Sequence, residues 1–185
     1  SSMSYMFGSC ESLMSLDLSG FNTSRVTLMY QMFYNCTNLT NLNVSNFNTA
    51  KVTDMQQMFH YCSSLTSLDL SSFNTPNVKS IVKMFSDCSA LTTLNISGFD
   101  YSKITSLWCW MYLCKNLKTI TFGDTLNTSN VTNMSYAFFC CNSITNFKEI
   151  VKKLDVSNVT NMSYMFNACN VQDCDFSDFN TSKVK

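Results

Sequence analysis

The chain has 185 residues, the length of one domain, and 45% of them are apolar, enough for a core. Its 12 basic and 12 acidic residues cancel, leaving no electrostatic footprint for nucleic acid or anionic membrane. A single histidine, His60, leaves little material for acid–base or metal chemistry, and no apolar run approaches the roughly 20 residues of a membrane span.

An internal repeat organises everything else. Cysteines fall at positions 10, 36, 62, 88 and 114, each 26 residues apart, and Cys141 and Cys169 follow at spacings of 27 and 28. With Val26 as position 1, the units are 1–25, 26–51, 52–77, 78–103, 104–130, 131–158 and 159–183. Ser1 is position 2 of its unit, so the chain reads as a piece of a longer repeat array. Apolar columns run through the units: Met29, Met55 and Ile81 at position 4, Phe33, Phe59 and Phe85 at position 8, Leu39, Leu65 and Leu91 at position 14.

Within a unit, Val26, Met29, Met32, Phe33 and Cys36 have spacings of 3, 3, 1 and 3, which predicts one face of a short helix. Thr27, Thr53 and Thr160 stand where they would cap it, and Thr53 with Gln56 forms a capping box. Leu-Asn-Val-Ser from residue 42 then alternates as a half-buried strand. Ser-x-Phe-Asn-Thr turns the chain back, with the Asn suited to an Asx turn. In the last units, Phe147 to Leu154 replaces the usual strand segment.

Such units bury their apolar faces only by stacking. The expected fold is an α/β solenoid: a curved, right-handed, leucine-rich-repeat-like stack of seven helix-loop-strand units. Its parallel sheet is concave and its short helices convex, because strands space at about 4.8 Å and helices at about 10 Å. The pattern Val-Thr-x-Met-x-x-Met-Phe-x-x-Cys-x-x-Leu-x-x-Leu-Asp/Asn-Leu-Ser-x-Phe-Asn-Thr resembles the 26-residue repeat of BspA-like leucine-rich-repeat surface proteins of bacteria and related mycoplasma lipoproteins. The resemblance implies a cell-surface or extracellular protein that adheres to or recognises a partner.

Cys10, Cys36, Cys62, Cys88, Cys114, Cys141 and Cys169 read as a buried thiol column, one small apolar residue per unit. No Cys-x-x-Cys pair suggests zinc, and no cofactor is expected.

Two surfaces are candidates for binding. The outward strand positions Asp17, Asn41, Asn43, Ser67, Asp69, Thr93 and Asn95 form a polar concave face, either simply solvated or a recognition surface for protein or glycan. Its acids lie two units apart, with few oxygens for calcium. On the helix side, Tyr30, Tyr34, His60, Tyr61, Trp108 and Tyr112 form either an aromatic contact patch or a cover over gaps between helices. No nucleophile–base–orienter set is visible, since His60 and Cys62 diverge on a helix, and no Gly-rich phosphate loop exists. The chain is therefore expected to be no enzyme but a recognition or adhesion module for a protein or glycan. The alternative is a structural building block of a filament, surface layer or shell, self-associating through exposed repeat ends. A rigid spacer is a third reading.

Overall fold

The computed structural model describes residues 1–124 and 126–185. Five short strands, β1 (Ser15–Leu16), β2 (Asn41–Leu42), β3 (Ser67–Asp69), β4 (Thr93–Ile96) and β5 (Thr119–Phe122), pair in parallel as β1-β2 and β3-β4-β5. Their register follows the repeat, with Ser15 opposite Asn41, Ser67 opposite Thr93 and Thr93 opposite Thr119. Alternation does what the pattern requires: Leu42, Leu68, Leu94 and Ile120 point into the core and their neighbours point out.

The expected convex helices do not form. The segments that carry the apolar spacing, such as Val26 to Cys36, are chains of tight turns. Met32, Tyr34 and Cys36 donate their N–H groups back to Met29, Gln31 and Phe33, three residues earlier. The alternate residues Met29, Gln31, Phe33 and Asn35 donate instead to the carbonyls of Asp54, Gln56, Met58 and His60 in the next unit, at 2.8–3.0 Å. Isolated parallel bridges, Ser2 to Leu28 to Asp54 to Ser80 and Ser106 to Asn133 to Asn161, continue this second ladder. Units held at one strand spacing leave no room for helices, which need about 10 Å between axes. The spacing mismatch expected to curve the stack is absent for the same reason. Thr27, Thr53 and Thr160 cap nothing; their hydroxyls donate to the preceding units' Ser1, Thr27 and Thr132 carbonyls.

This turn chain needs two left-handed residues per unit. Gln31 and Asn35, Gln57 and Tyr61, Lys83 and Asp87, Cys109 and Leu113 all lie at φ between 51° and 62°. Among the described residues, none of the fourteen in this conformation is β-branched, the class for which it is costliest. The α-helix that does form, α1 (Phe147–Lys153), lies where the repeat's strand segment is replaced. It buries Phe147, Ile150 and Val151, and its first turn holds Glu149 while its last holds Lys152 and Lys153, matching the helix dipole.

The core is built of columns. Phe7, Phe33, Phe59 and Phe85 stack with ring centroids 5.6, 5.6 and 5.9 Å apart, and Phe47, Phe73 and Phe99 form a second row. Buried Thr23, Thr49, Thr75 and Thr128 act as extra peptide rungs. Each hydroxyl donates to the carbonyl of Asn48, Asn74, Asp100 or Asp155 and accepts the same residue's N–H, at 2.7–3.3 Å. Tyr101 stands where the next threonine would be. Its ring is buried edge-on to Trp110, and its hydroxyl and the Trp110 Nε1 have no partner.

The cysteines are free thiols. Cys36, Cys62, Cys88, Cys114 and Cys141 are buried, but Cys10 is exposed and Cys169 half-buried, so the column is shorter than expected. Burial needs a packed unit on both sides, and Cys10 has a neighbour on one side only among the described residues. Each thiol from Cys36 to Cys169 donates to the position-8 carbonyl of the preceding unit, for example Cys62 to Phe33 and Cys88 to Phe59, at 2.9–3.2 Å. Burial pushes the Cys36 thiol up to about 11 and holds the Cys62, Cys88, Cys114 and Cys141 thiols well above the ordinary thiol range.

Four outcomes follow for stability and reactivity. Thr49→Val, which orphans the Asn74 backbone groups, should cost about 1–3 kcal/mol in urea unfolding. At the left-handed Gln57, substitution to Val should cost about 1–2 kcal/mol and substitution to Gly should not. A thiol reagent should reach Cys62, Cys88, Cys114 and Cys141 only on unfolding. Because the native thiols keep their protons while unfolded ones ionise, stability should fall as pH rises from 9.0 toward about 11.

Candidate functional site

The strand face is polar but largely committed. Asp17, Asn41, Asn43, Ser67, Asp69 and Thr93 are exposed and Asn95 is half-buried. The Oδ1 atoms of Asp17, Asn43, Asp69 and Asn95 accept the N–H of Ser19, Ser45, Ser71 and Ser97 at 2.9–3.2 Å. These are Asx turns that reverse the chain after each strand. The same bonds hold the Asp17 and Asp69 carboxyls below their ordinary range. Between Ser67, Thr93 and Thr119 there is only a shallow depression of about 200 Å³.

The opposite, turn-bearing face holds the larger cleft, about 550 Å³. It brings together four of the predicted aromatic residues, His60, Tyr61, Trp108 and Tyr112, and adds Tyr136, Lys83, Ser86 and Asp87. Tyr30 and Tyr34 lie outside the lining. Tyr34 instead packs on His60 at 5.5 Å and edge-on to Tyr61 at 6.3 Å. Tyr34 and His60 cover the spaces between units, whereas Tyr61 (41% accessible) and Trp108 (38%) stand open.

The polar floor is wired through the turns. Lys83 and Asp87 occupy the two left-handed positions of their unit. The Asp87 N–H donates to the Tyr112 carbonyl at 2.7 Å. The Ser86 hydroxyl donates to Asp87 Oδ2 at 2.8 Å. Buried His60 places Nδ1 at 3.0 Å from the Ser86 carbonyl and 3.6 Å from Asp87 Oδ2. Burial lowers the His60 pKa below the ordinary imidazole value despite the carboxylate, which leaves a neutral ring whose Nδ1–H donates to the carbonyl. Asp87 raises the Tyr61 phenol, and burial followed by Asp87 raises Tyr112. The Lys83 ammonium sits 4.7 Å over the Trp108 ring.

Serine, histidine and aspartate therefore meet here, although the sequence shows no such set. Their connections differ from those of a hydrolase. The hydroxyl donates to the carboxylate, and the imidazole nitrogen on that side is taken by a backbone carbonyl, so in this arrangement no base takes the serine proton. The arrangement suits binding: flat faces, one carboxylate and one ammonium. Among the described residues no group of three His, Cys, Asp or Glu side chains could hold a metal ion, and no helix is long and apolar enough to cross a membrane. Lys83, Ser86 and Asp87 were missed from sequence because they lie a full unit from the aromatic residues they join. Read down the repeat, position 9 places Ser86 beside His60 and position 10 places Asp87 beside Tyr61.

Comparison with known proteins gives one family and, among solved structures, a distant likeness. No curated protein matches the chain. A leucine-rich repeat protein of T. pallidum, known from its crystal structure, is similar at 18% identity and a TM-score of 0.44, covering 83% of this chain and 75% of that one. A family model matches residues 1–122 and 112–185, and the chain belongs to that family, the Mycoplasma protein of unknown function, DUF285.

Proposed function

We propose that the chain is a BspA-like solenoid of stacked turn-and-strand units that works at a cell surface or outside the cell, as a non-catalytic module recognising a protein or glycan. The cleft on the turn face carries this reading. It is where open rings and fixed charges converge, as ligand sites do. The strand face supports the reading less well, because its Asp and Asn oxygens already serve the turns. The solenoid reading rests on the parallel pairing at repeat offset on both sides of the unit. The surface location rests on the resemblance of the repeat.

The test is an array of extracellular-matrix proteins and glycans probed with the whole chain, Trp108→Ala and Asn43→Ser. Trp108 is open to solvent, so its truncation should leave the core and thermal unfolding intact. An exposed aromatic anchor lost from a contact should weaken binding about tenfold or more, a change of about 1.4 kcal/mol. Asn43→Ser should bind as the parent does. Binding lost in Asn43→Ser alone would move the contact to the strand face. Regular fibres or sheets formed without any ligand would identify a building block instead.

A further inference from the structure

One junction between units parts at its edge. Elsewhere the position-2 residue donates its N–H to the position-2 carbonyl of the preceding unit: Thr27 to Ser1, Thr53 to Thr27, Lys79 to Thr53, Thr132 to Thr105 and Thr160 to Thr132, at 2.8–2.9 Å. The hydroxyls of Thr27, Thr53, Thr132 and Thr160 reinforce this with a second bond to the same carbonyl. Between units 78–103 and 104–130 neither bond forms among the described residues: the Thr105 N–H and hydroxyl do not reach the Lys79 carbonyl. The next cross-bond, from the Ile81 N–H to the Ser106 carbonyl, is missing too. The row of parallel bridges runs from Ser2 to Ser80 and resumes at Ser106, without a bridge between those two serines. At this parting lies an opening of about 450 Å³, lined by Lys79, Ser102, Lys103, Thr105 and Asn130.

We propose that this opening binds a tetrahedral oxyanion, a phosphate or sulfate group. Its lining holds two cations and no carboxylate. Among the described residues no lysine or arginine lies within 4.0 Å of a carboxylate, so neither charge is paired within the chain. The acid nearest in sequence, Asp100, gives Oδ1 to the Ser102 N–H at 2.8 Å. Lys103 Nζ donates to Asn77 Oδ1 at 2.9 Å, a neutral partner that holds the side chain without cancelling its charge. The Thr105 N–H and the Ser102 and Thr105 hydroxyls have no acceptor among the described residues. The site thus offers two ammoniums, a backbone N–H and two hydroxyls, all of them donors. A neutral ligand leaves the charges uncompensated, and a carboxylate brings two oxygens to at least four donors. A phosphate or sulfate group brings three or four oxygens and only accepts, which makes the bonds charge-assisted. Backbone N–H groups released from a ladder bind such anions well. This edge is separate from the turn-face cleft, and the proposal does not depend on what that cleft binds.

The experiment is titration of the whole chain with inorganic phosphate and with sulfate at up to millimolar concentration, read by the NMR shift of the Thr105 amide. Chloride at matched ionic strength separates binding from screening. Phosphate or sulfate should shift the Thr105 amide saturably while chloride does not, and the tighter of the two identifies the group the site prefers. Lys79→Thr installs the residue that neighbouring units carry at this position and removes one cation. It should weaken binding about tenfold or more with an unchanged melting temperature. Lys103→Gln should bring a similar loss, and it carries the test if Lys79→Thr does not fold. Arg25→Gln removes an exposed cation outside the opening and should leave binding unchanged. The proposal is overturned by an unsaturable shift, by an equal response to chloride, or by binding undiminished in Lys79→Thr or Lys103→Gln. A loss in Arg25→Gln as large as in those two would also overturn it, because attraction to the whole surface would then suffice.

Discussion

One constraint governs this chain: successive units are hydrogen-bonded to each other on both sides, not on the strand side alone. On the strand side the bonds form an ordinary parallel ladder. On the other side every second N–H from Met29 to Asn35 crosses to the next unit while the intervening ones close turns within their own. A helix satisfies its backbone internally and offers nothing to a neighbour. The turn chain offers half of its N–H groups, and so it can stack at the spacing of the sheet. The left-handed residues are what this alternation requires, and fourteen side chains other than glycine accept that conformation.

The polar composition of the repeat follows from the same constraint. Close stacking buries backbone groups that no ladder reaches, and each must find a partner. The threonine rungs and the cysteine thiols supply those partners at fixed positions. Cysteine here is a small apolar residue with one weak donor, which suits a carbonyl already bonded once within its own unit. Two columns depart from their rule. Ser86 replaces a ring in the floor of the cleft, whereas Tyr101 interrupts the threonine rungs beside two buried donors left unpaired.

The apolar columns, the strands and their pairing were legible in the sequence because they depend on register, and the recurring cysteines display the register openly. The turn face was misread because Val26, Met29, Met32, Phe33 and Cys36 fall at spacings that a helix and a chain of three-residue turns share. The distinguishing signal was negative: positions 6 and 10 never hold Val, Ile or Thr. The rings of the candidate cleft, Tyr61, Trp108 and Tyr112, were also legible. Its charged half was not, because Asp87 lies near Tyr61 only through a contact one unit away. Linear motif searches look along the chain, whereas in this fold neighbours lie across it.

That crosswise bonding has a mechanical consequence. The hydrogen bonds joining units span about one repeat, such as the 25 residues between Met29 and Asp54, so a unit is held only by those beside it. Under tension applied at its ends, the chain should peel rather than shatter. Each detached unit of 26 residues would release roughly 90 Å of contour length. The 27- and 28-residue units near the C-terminal end would give slightly longer steps. A stack of this kind yields by regular increments, and so can dissipate load while most of its surface stays folded.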